Sequence, residues 1–182
     1  MRIITGKYKG CQIATLNDNS IRPATDRVKG AIYNMLQNRL SLNGIDVLDL
    51  FAGSGSLAFE AVSRGAAHAV LVDDNPHAMG IVNANAEKLG CWEACSFLQA
   101  DAIAFITTEH EQFELIFADP PYAYTKTREL PELIFRHNLL KKGGFLIIEH
   151  DKRTDFDASI LYRCSVQKDF GNTHVSFFVH PS

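Results

Sequence analysis

The chain reads as an α/β protein: a doubly wound, mostly parallel sheet of seven strands, with an antiparallel C-terminal edge and a small N-terminal β-hairpin extension. Three observations predict it. From Ile45 onward, short apolar runs alternate with stretches of helical spacing. Those runs are apolar at consecutive residues, as strands covered on both faces require. Two last strand-like runs then follow one another with no helix between them, which places an antiparallel pair at an edge.

Taken in order, Arg2 to Thr5 and Cys11 to Leu16 read as two short strands around Gly6-Lys-Tyr-Lys-Gly10, and Asn17-Asp-Asn-Ser20 is a turn cluster. Arg22-Pro-Ala-Thr-Asp-Arg27 leads into a helix with Thr25 as N-cap, whose apolar face holds Val28, Ile32, Met35, Leu36 and Leu40. Val47 to Phe51 is a strand, followed by a glycine loop and a helix that stops at Gly65. Ala69 to Val72 is the next strand. Asn75 then caps a helix with Pro76 at its first position and Gly90 at its end, the usual Pro-start, Gly-end asymmetry. Ser96 to Leu98 is a short strand, Ala102 to Thr107 a short helix and Phe113 to Ala118 a central strand. Leu130 to Leu140 reads as helical and Gly143 to Ile148 as a strand, with Tyr162 to Lys168 and His174 to Val179 closing the sheet. Residues 1–24 form a basic flap and 25–182 the main domain.

Composition sets the outer bounds. At 182 residues, 46% hydrophobic and 21% charged, the chain buries a full core and reads as a cytoplasmic monomer. No apolar run approaches the ~20 residues of a membrane span. Cys11, Cys91, Cys95 and Cys164 are scattered and read as reduced thiols, with no metal-finger spacing around them. The seven histidines are dispersed, so no metal site is expected. Net charge is −3, but residues 1–30 hold six Lys/Arg against two acids. That asymmetry points to a polyanion partner or, equally, to a solvated edge hairpin that lysines keep from pairing.

Ligands on open α/β sheets bind beyond the carboxyl ends of the strands. Four strand tips here carry acids: Asp49 before Phe51-Ala-Gly53-Ser-Gly55, then Asp73-Asp74, then Asp101, then Asp119-Pro-Pro-Tyr122. Gly53-x-Gly55-x-x-Ala58 with Asp73 twenty residues on also fits a dinucleotide fingerprint. However, Asp49 inside the tip gains nothing beside a pyrophosphate. Acidic tips suit a cofactor with an ammonium, a ribose diol and an adenine amine, as in S-adenosylmethionine. At the fourth tip Pro120 and Pro121 lack N–H groups and stiffen the chain, leaving a lip rich in acceptors and poor in donors. Such a lip suits a ligand that donates N–H groups.

The chain resembles the class I S-adenosylmethionine-dependent methyltransferases, with their Rossmann-like sheet. More narrowly, it is similar to the bacterial family that methylates a guanine N2 in small-subunit (16S) ribosomal RNA. The resemblance rests on residues 2–10, Arg22-Pro-Ala-Thr-Asp-Arg-Val28, Asp49 to Gly55, Glu60-Ala-Val-Ser-Arg-Gly-Ala66, Asp119-Pro-Pro-Tyr122 and Gly171-Asn-Thr173. It implies that Asp49, Gly53 and Gly55 line the methionine and ribose end of the cofactor, with Phe51 packed beside that loop. Asp73 would take the ribose hydroxyls, Asp101 and Ala102 the adenine, and Thr25 the methionine carboxylate. Asp119, Pro120, Pro121 and Tyr122 would hold and stack the acceptor base. Lys7, Tyr8, Lys9, Arg22 and Arg27 would contact ribosomal RNA, within a partly assembled small subunit. Tyr33 and Tyr124 are read as packing. An adenine-N6 methyltransferase, a glutamine-amide methyltransferase, a nicotinamide-dependent oxidoreductase and a non-catalytic cofactor-binding module stand as the alternatives.

Overall fold

A computed structural model describes residues 1–16 and 24–182, with Ala24 and Thr25 described through their backbone alone. Helix α1 spans Ala24–Leu36, β1 Asp46–Asp49, α2 Ser56–Ser63, β2 His68–Asp73 and α3 Pro76–Leu89. They are followed by β3 Cys95–Gln99, α4 Ala102–Thr108, β4 Phe113–Ala118, α5 Leu130–Arg136, β5 Leu140–Asp151, β6 Arg163–Asp169 and β7 Thr173–Val179. The seven strands form one sheet in the order β3-β2-β1-β4-β5-β7-β6. The first five are mutually parallel, and β7 runs antiparallel to both β5 and β6. Strand order reverses between β1 and β4, so a crevice opens between their carboxyl ends, where the helices that follow leave in opposite directions.

Period-2 alternation within the buried strands feeds two cores. Val47, Leu71, Leu115, Phe117, Ile147 and Phe177 pack under α1, α2 and α3, against Val28, Ile32, Phe59 and Val82. Leu48, Val70, Val72, Ile116, Ile148 and Phe178 pack under α4 and α5, against Phe105, Ile106, Ile134 and Phe135. Register ties the tips together: Asp49 lies opposite Phe117 on β4, and Phe117 opposite Ile147 on β5.

Local chemistry explains the element ends. Asn75 caps α3 by accepting from the His77 N–H at 2.9 Å, Pro76 occupies the first turn, and Gly90 closes the helix. Three expectations need correction. Helix α1 begins at Ala24, so Thr25 lies in its first turn and is not its N-cap. Helix α5 stops at Arg136 and does not reach Leu140, because Asn138 turns left-handed at φ 58° and Leu139 and Leu140 are drawn into the core. Asparagine accepts that conformation better than most residues. The N-terminal hairpin is a single bridge, Arg2 to Gln12, rather than two strands.

What holds that N-terminal flap is a fully buried carboxylate. Glu60 on α2 accepts from the backbone N–H groups of Ile4 at 2.8 Å and Thr5 at 2.9 Å, and from Arg64 Nε at 2.9 Å. Lys29 Nζ stands 3.6 Å from it and donates to the Arg2 carbonyl at 2.6 Å and to Ser56 Oγ at 2.9 Å. Ile3 and Ile13 complete the attachment by entering the core. A carboxylate removed from water is tolerated because each charge here is paired and hydrogen-bonded. Among the described residues, no helix is long and apolar enough to cross a membrane.

Candidate active site

A cavity of about 670 Å³ opens over the carboxyl ends of β1, β2, β4 and β5. That size falls in the range that takes a small-molecule cofactor. Asp49, Phe51, Gly53, Asp73, Asp101, Ala102 and Asp119 through Tyr122 all line it, so the structure gathers the strand-tip residues into one space. The Pro-Pro lip and the glycine loop both border it. A second concavity of about 760 Å³, lined by Arg39, Lys142, Arg163 and His180 among others, contains none of these tips.

The glycine loop is built for close approach. Gly55, at φ 77°, is the N-cap of α2 and, unlike Gly53, is not among the residues lining the cleft; a Cβ there would meet the Phe59 ring at 2.3 Å. Gly53, at φ 55°, has open space where a Cβ would stand, so its face of the cleft is left to a ligand. Its N–H donates to Asp73 Oδ2 at 2.9 Å, and Asn75 N–H donates to Asp73 Oδ1 at 2.9 Å. Asp73 thus fastens β2's end to the loop, and each of its oxygens keeps a lone pair for a further donor. Asp101 caps α4 by accepting from the Ala104 N–H at 2.9 Å.

Asp49 is the buried acid of the site, 2% exposed. Burial, and then the nearby charge of Asp119, push its carboxyl from 3.8 up to about 7, while backbone contacts at Phe51 and Ala58 act the other way. Its Oδ1 has no hydrogen-bond partner among the described residues. A buried acceptor left without a donor costs roughly 1–3 kcal/mol, and an ammonium group in the cleft would supply that donor. The residues present therefore fit a cofactor that brings a positive charge and several N–H and O–H donors.

Across the lip, Asp119 is exposed, Pro120 is buried, and Tyr122 presents its ring at 56% exposure. The Tyr122 hydroxyl shares a 3.0 Å hydrogen bond with Thr173 Oγ1, on the strand after the Gly171 turn. That bond fixes the ring beside β5 and β7.

Other residues entered the site without a sequence signal that singled them out. Tyr124, read above as packing, lines the cleft and meets Phe51 edge to face at 5.0 Å. Its buried hydroxyl has no partner among the described residues, and burial, with Asp101 nearby, raises it to about 12. Glu149, two residues before the end of β5, lines both the cleft and an adjoining cavity of about 880 Å³. Lys152 and Arg153 line that adjoining cavity as well, with Arg153 ion-paired to Asp151 at 2.9 Å. Tyr33, by contrast, is packing: it is fully buried against Phe117, and Arg64 lies over its ring.

Lys7, Tyr8 and Lys9 stand apart from the cleft. Lys7 N–H donates to the Ser63 carbonyl at 2.8 Å and Tyr8 N–H to Ser63 Oγ at 2.9 Å, at the far end of α2 from the glycine loop. Helix rise puts that about 10 Å below the site. Arg27 is exposed on the first turns of α1, next to Val28 of the cleft wall. Arg22 lies outside the described residues. Among the described residues, no group of three or more His, Cys, Asp or Glu side chains is placed to hold a metal.

The chain is similar to several known proteins. The family model described as "Conserved hypothetical protein 95" matches residues 1–179. YlbH of Bacillus subtilis (strain 168), provisionally named an rRNA methyltransferase, is 34% identical over 98% of each chain. Ribosomal RNA small subunit methyltransferase D of Escherichia coli (strain K12) is 32% identical over 82% of this chain and 71% of its own. A solved Escherichia coli chain, provisionally named methyltransferase yhhF, superposes with a TM-score of 0.86 over 99% of this chain and 97% of its own, at 24% identity, and so shares the Rossmann-like methyltransferase fold. The chain belongs to the conserved hypothetical protein 95 family, that of the bacterial small-subunit ribosomal RNA methyltransferases D.

Proposed function

We propose that this protein methylates the exocyclic N2 amine of a guanine in small-subunit ribosomal RNA, using S-adenosylmethionine, on a partly assembled subunit. The observation that carries the reading is that the acceptor-rich lip and the glycine loop open into one cleft. When bound, S-adenosylmethionine supplies an electrophilic methyl group on a sulfonium. Asp49 would accept from its ammonium, Asp73 from the ribose, and the Gly53 face would leave room for its backbone-like end. Phe51 and Tyr124 would enclose the adenine beside Asp101 and Ala102.

An aryl amine is a weak nucleophile because its lone pair is delocalised into the ring. Asp119 and the Pro120 carbonyl would each accept one hydrogen of the amine and so hold it with its lone pair turned towards the glycine-loop side of the cleft, where the cofactor would supply the methyl group. The gain is a near-attack geometry of ~3–3.5 Å and stabilisation of the positive charge that grows on nitrogen. Asp119 or water takes the proton after transfer. Tyr122 would stack on the base once it has left its RNA stack. Residues 1–24, with Lys7, Tyr8, Lys9 and Arg22, and Arg27 on α1 would grip RNA away from the target base.

The test is incorporation of labelled methyl groups into small subunits isolated from a strain that lacks the enzyme, with identification of the modified nucleoside. N2-methylguanosine is expected. N6-methyladenosine would transfer the reading to the adenine alternative.

A further inference from the structure

The lip alone does not distinguish guanine from adenine, since both bases bring an exocyclic amine with two hydrogens. The adjoining strand supplies a second acid to the same cleft. Ala118 on β4 pairs with Ile148 on β5, so Asp119, just past the end of β4, follows beside Glu149, which is still within β5 and paired with Val175 of β7. Strand spacing puts their backbones about 4.8 Å apart. Glu149 lies two residues past Ile147 in the same strand and so projects, as Ile147 does, to the α1 side of the sheet, and both Glu149 and Asp119 line the cleft. Glu149 lines the same cleft as Asp119 and Tyr122 and also borders the adjoining cavity, which it shares with Tyr122 and Thr173. The Tyr122–Thr173 bond holds the aromatic ring on that side. A base lying on Tyr122 would share its cleft with two carboxylates.

We infer that Glu149 is the base-reading residue of this site, accepting the N1–H of guanine while Asp119 accepts from the adjacent N2 amine. This inference rests on the proposed guanine reading. Guanine offers N1–H and N2–H donors side by side on its Watson–Crick edge, matching two neighbouring acceptors. Adenine offers an amine beside a bare N1 lone pair, which an ionised carboxylate opposes. A carboxylate has two oxygens and about four lone-pair sites, so reading N1–H leaves it capacity for a protein partner as well. Discrimination by a site built to hydrogen-bond one polar edge is steep, because the wrong edge leaves a desolvated group unmatched.

The experiment compares small subunits reconstituted with guanine or with 2-aminopurine at the target position. 2-Aminopurine keeps the N2 amine but carries a lone pair at N1 in place of N1–H. Wild-type enzyme is expected to prefer guanine by roughly 10- to 150-fold in kcat/KM, the range for a hydrogen bond to a charged group. Glu149→Gln, close in size and able to donate to a bare N1, should slow guanine and speed 2-aminopurine, narrowing or inverting that ratio. Glu149→Ala should lose guanine activity without gaining 2-aminopurine activity. Cofactor affinity and the thermal midpoint of both variants report whether the fold survives. An unchanged guanine to 2-aminopurine ratio in a folded Glu149→Gln variant overturns the inference. Failure of the guanine reading itself appears separately, as wild-type enzyme leaving no N2-methylguanosine in the unmodified subunit.

Discussion

Titrating S-adenosylmethionine affinity against pH, in the wild-type protein and in Asp49→Asn, isolates the buried carboxylate at the tip of β1. With its carboxyl raised from 3.8 to about 7, Asp49 is about three-quarters ionised near pH 7.5 and about 3% ionised near pH 5.5. A bound ammonium that keeps Asp49 ionised over this range makes affinity fall roughly 25-fold between those two pH values, or about 2 kcal/mol. Isothermal titration calorimetry in buffers of different ionisation enthalpy reads both the affinity and the proton released, which should approach one per cofactor near pH 6. Asp49→Asn should bind more weakly near pH 7.5 and lose the pH slope. The sign for folding is the opposite one. A carboxyl whose folded value lies above its unfolded value stabilises most below about pH 4 and loses that contribution as pH rises through about 7. The shift converts to a few kcal/mol, so without cofactor Asp49→Asn should melt higher than wild type above about pH 7. A wild-type affinity that stays flat from about pH 7.5 to about pH 5.5, or an Asn variant that keeps the slope, would refute the role given to Asp49.

Gly53→Ala should cost only about 1–2 kcal/mol of stability through its left-handed backbone, yet weaken cofactor binding at least tenfold by placing a methyl in the space that the loop leaves open; equal binding in calorimetry would mean the cofactor does not approach that face. Glu60→Ala should destabilise the fold by about 3–5 kcal/mol in urea denaturation, because Lys29 and the N–H groups of Ile4 and Thr5 all lose their buried acceptor. The same variant should expose residues 1–16 to limited proteolysis before the rest of the chain.

Much of the framework was legible because its signals are local. Asn75, Pro76 and Gly90 mark both ends of α3 within its own sequence. The run from Phe113 to Ala118 matches β4 residue for residue. The acids stand at the tips because each follows an apolar strand, and the sheet gathers all the tips at one end. What stayed hidden depends on contacts between distant residues. Glu60 serves N–H groups more than fifty positions away, so its burial leaves no periodic trace. Tyr122 meets Thr173 51 residues later. Tyr124 looked like packing because a tyrosine two residues past the Pro-Pro lip has no pattern that distinguishes a wall of the cleft from a core. Asp101 caps α4 through one oxygen, a contact its sequence position alone did not separate from a ligand contact. Glu149 follows the apolar run of β5 two residues before that strand ends, and its meaning depends on β5 lying next to β4. The Leu130 to Leu140 helix overran because its apolar spacing continues into β5, and only Asn138 marks the break.

The most direct test of the account is single-turnover methyl transfer by Asp119→Ala, with cofactor affinity measured on the same preparation. Holding and aiming the amine is assigned to this carboxylate, so the transfer rate should drop roughly 100-fold or more while S-adenosylmethionine binds within about threefold of wild type. Transfer at close to the wild-type rate, or a loss explained wholly by weaker cofactor binding, would contradict it.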